Sequence, residues 1–141
     1  MNSNEYFMRK AFSLALRAKG MTWPNPLVGA VVVKNGKIIG QGYHKKAGLA
    51  HAEVEAISAA GKRARGASLY VTLEPCAHYG RTPPCVDKII ESGIKRVLVG
   101  MVDPNPLNNG KGIRLLKEHG IKIETGLLEK EIKKENQPFI K

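Results

Sequence analysis

Four side chains stand out for the chemistry they could share. They are His51 and Glu53 in "HAEVEAI", and Cys76 and Cys85 in "TLEPCAHYGRTPPC". One imidazole and two thiolates form a donor set that Zn²⁺ accepts, and three protein donors leave a fourth position open for water. A carboxylate two residues beyond the His need not share that ligand's direction. Glu53 could therefore face the open position without binding the metal and shuttle a proton between activated water and a substrate. Helix N-termini near His51 and the cysteines would favour the thiolates.

Cys76 and Cys85 are the only two cysteines of the chain, and eight residues separate them. A compact zinc site usually separates its cysteines by two. In a reducing compartment, free thiols or metal ligands are expected in preference to a disulfide. Two other readings stay open from the residues alone. One is a closed structural zinc site with His44 or His78 as fourth ligand, which would have no use for Glu53. The other is that the four groups are core or surface residues only.

The elements that must position these residues follow from pattern. Phe7, Ala11, Leu14 and Ala18 recur at helical spacing over residues 4–19, and Gly20 ends the run. Two prolines in "GMTWPNPLVG" forbid a continued helix. In "VGAVVVKNGKIIGQGY" two β-branched runs flank Asn35-Gly36, a strong hairpin signal. A helix is predicted over residues 49–66, with Val54, Ile57 and Ala60 or Gly61 inward, followed by a strand over 68–73. A helix over 85–93, a strand over 95–102, the loop "DPNPLNNGKG", a helix over 113–120, a strand over 121–126 and a helix over 127–136 complete the chain. The order α-β-β-α-β-α-β-α-β-α predicts an α/β fold, a mixed five-stranded sheet with helices on both faces. His51 and the segment after Leu73 then fall where α/β sheets bind ligands, outside strand ends where helices begin.

At 141 residues, 43% hydrophobic and 25% charged, the chain reads as one globular domain, residues 1–141, without internal repeats or a linker. No apolar stretch approaches the roughly 20 residues of a membrane span, and "MNSNEYFMRKAF" lacks the pattern of a secretory signal. A cytoplasmic location is expected. The net charge of +11 suits nucleic acid, an anionic membrane surface or a phosphorylated small molecule. The cations are scattered along the sequence, however, at Lys45-Lys46, Lys62 to Arg65, Lys95-Arg96 and Lys133-Lys134. A solvated basic surface is an equal reading.

His-x-Glu followed by Pro-Cys is the order found in zinc deaminases, which usually continue as Cys-x-x-Cys. With its wide spacing, "TLEPCAHYGRTPPC" resembles the cysteine loop of the riboflavin-biosynthesis pyrimidine deaminases, the diaminohydroxyphosphoribosylaminopyrimidine deaminase family. The resemblance extends through "YFMRKAFSLA", "PNPLVGAVVVKNGKIIGQGYH", "AHAEVEAI" and "GMVDPNPLNNGKGIRLLKEHGI". It implies a three-layer α/β/α cytidine-deaminase-like fold. It also implies one Zn²⁺ held by His51, Cys76 and Cys85, with Glu53 as proton donor. The substrate would be 2,5-diamino-6-(ribosylamino)-4(3H)-pyrimidinone 5′-phosphate, deaminated to 5-amino-6-(5-phosphoribosylamino)uracil with release of ammonia. Asn25, His44, His78, Arg81, Asp103 and Asn105 match positions that line the family's substrate pocket. A short amide can fix a pyrimidine edge, and a guanidinium suits a phosphate. Each also has a plainer reading, Asn25, Asp103 and Asn105 as turn formers, Arg81 as a solvated cation, and His44 and His78 as structural hydrogen-bonding groups.

Family members are commonly fused to a C-terminal reductase. This sequence stops at "ENQPFIK", which is expected either of a stand-alone deaminase served by a separate reductase or of an excised domain. Ala77 stands where the family often has Ser or Asn, so one loop hydrogen bond is in doubt. A homo-oligomer is expected by analogy. A tRNA or nucleoside deaminase is the alternative that would use the positive charge, against which the wide cysteine spacing argues. A non-catalytic zinc-stabilised binding module is the other.

Overall fold

The computed structural model describes residues 3–22, 25–45, 51–77 and 85–137. Helix α1 (Ser3–Leu16) leads through a turn-rich connector to strands β1 (Gly29–Lys34) and β2 (Lys37–Tyr43). Asn35 and Gly36 carry φ of 53° and 76°, the left-handed pair that a two-residue hairpin turn requires. Helix α2 (Ala52–Ala60) passes into a single 3₁₀ turn (Gly61–Ala64) and then strand β3 (Ser68–Leu73). Helix α3 (Cys85–Ser92), strand β4 (Arg96–Met101), helix α4 (Lys111–Glu118), strand β5 (Lys122–Thr125) and helix α5 (Glu129–Glu135) complete the order.

The five strands lie in the order β2-β1-β3-β4-β5. β1 is antiparallel to β2 and β3, whereas β3, β4 and β5 run parallel. The expected mixed sheet is thus observed. Its central strands alternate their side chains between two cores. Val32, Leu69, Val71, Val97 and Val99 meet α2, α3 and α4 through Ala56, Ile57, Ile89 and Leu116. Val31, Val33, Tyr70, Leu98 and Met101 meet α1 and α5 through Phe7, Met8, Ala11 and Ile132. These are the three layers. β3 is buried along its whole length, which accounts for its near-continuous apolar sequence.

Two expectations need correction. The α-helical part of residues 49–66 ends at Ala60, because Gly61 takes φ 61° and starts the 3₁₀ turn. Its inward face is Ala52, Glu53, Ala56, Ile57 and Ala60, while Val54 is only half-buried. The i, i+3, i+4, i+7 rhythm runs from Glu53, which puts a carboxylate on the core side. The helix lies close on β2: a Cβ added at Gly40 would strike the Ala56 carbonyl, and one at Gly42 would approach Glu55 Cβ at 2.5 Å. That contact sets the height at which α2 presents its first turn.

Candidate metal centre and active site

The parallel strands β3 and β4 finish at the same end of the sheet, with Leu73 paired to Met101. The chain leaving β3 reaches Cys76 three residues later, while Cys85 opens α3 and His51 is the N-cap of α2. Among the described residues, His51, Cys76 and Cys85 are the group able to hold a metal, with donor atoms all within 4.8 Å of one another. His51 Nδ1 lies 2.9 Å from Cys85 Sγ, and the Cys85 backbone N–H donates to Cys76 Sγ at 3.2 Å. Donors about 2.0–2.3 Å from a shared zinc would stand roughly 3.5–3.8 Å apart at tetrahedral angles. The three donors gather about that spacing, the His51–Cys85 pair at 2.9 Å being closer than a shared ion would hold it, and the donor chemistry fits zinc.

The electrostatics of the group follow from its crowding. The Cys85 thiol hydrogen-bonds Cys76 and, with His51 and the α3 N–H, lowers the Cys76 thiol to about 4 despite burial. Cys85 is pushed the other way, first by that shared bond and then by burial. His51 is raised, chiefly by its hydrogen bond with Cys76. A thiolate beside a raised imidazole is the charge distribution a divalent cation would replace.

Glu53 is 4% exposed and sits in the first turn of α2. Burial pushes its carboxyl up to about 7, opposed by its own backbone N–H, by His51 and by a hydrogen bond with Cys85. The carboxyl group therefore reaches the donor set itself. A carboxyl poised near neutrality can both take and give a proton.

Beside the donors stands a second group of the expected residues. Asn25 Nδ2 lies 3.1 Å from His44 Nε2, and the buried His44 ring meets the His51 ring edge-on at 5.4 Å between centroids. The backbone under Asn25 is pinned from three sides. Asn136 of the α5 C-cap accepts the Leu27 N–H at 2.8 Å and donates to the Leu27 carbonyl at 3.3 Å. His44 N–H bonds the Val28 carbonyl, and Thr72 Oγ1 accepts the Gly29 N–H.

Asp103 and Asn105 lie in the loop after β4, and their side chains shape it. Asp103 Oδ1 accepts the Asn105 N–H, and Asn105 Oδ1 accepts the Leu107 N–H, each at 3.0 Å. His78 and Arg81 lie outside the described residues. Reading by sequence missed Glu74, Asn108 and Asn136, all buried polar residues that hold site-bearing segments. For Glu74 a signal was available, a carboxylate directly after the mainly apolar strand β3 and just before Pro75-Cys76; for the two asparagines none was.

Residues 1–101 match the family described as the cytidine and deoxycytidylate deaminase zinc-binding region. The chain is 59% identical over 133 residues to the riboflavin biosynthesis protein RibD of Aquifex aeolicus, covering 94% of itself and 37% of that protein. It is 50% identical over 136 residues to the diaminohydroxyphosphoribosylamino-pyrimidine deaminase of Buchnera aphidicola from Acyrthosiphon pisum, covering 96% of itself and 92% of that protein. Among solved structures, the diaminohydroxyphosphoribosylaminopyrimidine deaminase/5-amino-6-(5-phosphoribosylamino)uracil reductase of Thermotoga maritima superposes with a TM-score of 0.92 at 51% identity. That match covers 97% of this chain and 40% of the other. The chain thus spans well under half the length of its RibD relatives and nearly all of the shorter deaminase. No helix among the described residues is long and apolar enough to cross a membrane. Matches of this extent and identity place the chain in the cytidine and deoxycytidylate deaminase zinc-binding family, on its riboflavin-biosynthesis branch.

Proposed function

We propose that the chain is a deaminase domain that hydrolyses 2,5-diamino-6-(ribosylamino)-4(3H)-pyrimidinone 5′-phosphate to 5-amino-6-(5-phosphoribosylamino)uracil and ammonia. The observation that carries this reading is the carboxyl group of Glu53, buried against the His51, Cys76 and Cys85 donors. Its substrate is inferred from the 50% identity to a deaminase of nearly the same length.

His51, Cys76 and Cys85 would hold the zinc, which when bound supplies Lewis-acid activation of water. Glu53 accepts a proton from the attacking water and passes it to the pyrimidine ring nitrogen beside the carbon under attack. A second transfer by Glu53 protonates the amino group, which leaves as ammonia while the carbon keeps the water's oxygen. Burial lets the carboxyl be neutral or ionised at little cost near neutral pH. Asn25, held by His44, and His44 itself face the pyrimidine. Asp103 and Asn105 border it from the β4 loop, and the family resemblance assigns His78 to the same pocket and Arg81 to the phosphate. A reductase acts next on the product, either on a separate chain or on a continuation of this one.

The test is ammonia release from the ribosylaminopyrimidine phosphate, with dCMP and a tRNA as comparators, before and after chelation. Chelator-sensitive turnover of the first substrate alone is expected. Turnover of dCMP or tRNA in its place would refute the substrate assignment, and zinc binding without any deamination would point to a binding module.

A further inference from the structure

Cys76 lies in a segment with no regular secondary structure, residues 74–77. A metal ligand on such a segment needs its backbone fixed from elsewhere. Two buried polar side chains meet there. Asn108 is fully buried, and its amide grips the residues on both sides of Cys76. Nδ2 donates to the Pro75 carbonyl at 3.1 Å, and Oδ1 accepts the Ala77 N–H at 3.0 Å. Nδ2 also donates to Asp103 Oδ2 at 3.3 Å. Glu74, 3% exposed, spends its carboxylate on three backbone N–H groups of the facing loop and helix. Oε1 accepts from Asp103 at 3.0 Å and Gly110 at 2.9 Å, and Oε2 accepts from Ile113 at 3.1 Å. Its own N–H donates to the Met101 carbonyl. The two segments pack without a gap, since a Cβ on Gly112 would strike the Pro75 carbonyl.

We propose that Glu74 and Asn108 form a positioning clamp that fixes Cys76 for the metal, tying the end of β3 to the 103–113 segment. Glu74 anchors that segment, from Asp103 to the start of α4. Asn108 then carries the anchored loop's position to Cys76 through one bond on each side of it. The same clamp holds the backbone of Asp103, so metal ligand and pocket rim are placed by one device. The clamp rests on Cys76 as a metal ligand and not on the substrate's identity. Zinc affinity therefore tests it even where the deamination assay fails.

The experiment uses the full chain with zinc, and with Co²⁺ as the spectroscopic probe. In Asn108→Leu both grips are lost at nearly constant volume. It is expected to bind zinc about 10- to 100-fold more weakly in chelator competition, and to shift the thiolate-to-cobalt absorption band. Loss of kcat should accompany this. Asn108→Asp keeps an acceptor for the Ala77 N–H but loses the donor to Pro75 and sets a carboxylate against Asp103; adding Asp103→Asn relieves that repulsion, residue 103 now donating to residue 108. That double variant is expected to recover part of the zinc affinity and of the cobalt band. A lower melting temperature in Asn108→Leu with wild-type zinc affinity and cobalt spectrum would make the amide merely structural and overturn the proposal. Should that variant fail to fold, wild-type zinc affinity in the double variant, which keeps the net charge but lacks the bond to Pro75, would overturn it instead.

Discussion

Replacing Glu53 by Gln separates proton transfer from everything else the site does. The side chain is 4% exposed, so the amide must occupy the carboxyl group's own place against Cys85. Size is conserved and the three metal donors are untouched, so one zinc per chain should remain. Burial is the largest influence on the carboxyl and opposes its charge. A neutral amide removes that cost, and the melting temperature should not fall. What disappears, on the proposed mechanism, is the group that takes a proton from water and returns it to the substrate. General acid–base catalysis of this kind contributes about 10²- to 10⁴-fold, equivalent to roughly 3–5 kcal/mol of barrier at about 1.36 kcal/mol per decade. The assay is ammonia release at saturating ribosylaminopyrimidine phosphate, paired with zinc content and a thermal melt on the same preparation. Activity within tenfold of wild type in a zinc-loaded, folded Glu53→Gln protein would refute Glu53 as the proton carrier.

Asn136→Leu leaves the buried Leu27 N–H and carbonyl unpaired, which should cost about 2–6 kcal/mol at roughly 1–3 kcal/mol per orphaned group; a melting curve unchanged within a degree would contradict the clamp on Leu27. Because that segment carries Asn25, KM should rise in the same variant more than kcat falls. Gly42→Ala forces α2 off β2, where the new Cβ would meet Glu55 Cβ and the Ala52 carbonyl. A loss of about 1–3 kcal/mol with reduced turnover is expected, and a fully stable, fully active variant would show that the close approach is dispensable. Chelation should abolish activity and lower thermal stability by about 3–4 kcal/mol relative to zinc in 100- to 1,000-fold excess over its Kd. Zinc should restore both, and activity that survives complete zinc removal, checked by metal analysis, would rule the metal out of the reaction.

Much of the site was legible because its signals are local. His51 and Glu53 are two residues apart, Pro75 and Cys76 are adjacent, and Asn35-Gly36 dictates a hairpin through its own φ preferences. The alternation of Val31 and Val32 between two cores follows from strand geometry alone. Helix limits were less legible. Val54 looked inward because it is apolar, yet the helical rhythm that packs α2 on the sheet runs through Glu53. Apolar type is a weaker guide than phase where an inward position carries a carboxylate.

Composition determined a basic, globular chain, the order of patterned segments determined an α/β fold, and the short motifs determined which atoms could hold zinc and which could move a proton. Tertiary structure alone decided what holds them. Glu74 meets its N–H partners 29, 36 and 39 residues away, Asn108 reaches back 33 to Pro75, and Asn136 reaches back 109 to Leu27. Some of the cations that read as scattered also converge. Arg96 and Lys122 share a register with Ser68 at the start of β3, and Lys34 bonds the carbonyls of Arg63 and Arg65. They gather at the end of the sheet away from Cys76. A buried hydrogen bond depends on where two backbones meet in space, and no local preference encodes that meeting. The donors are written in short motifs; their alignment comes from partners that only folding brings within reach.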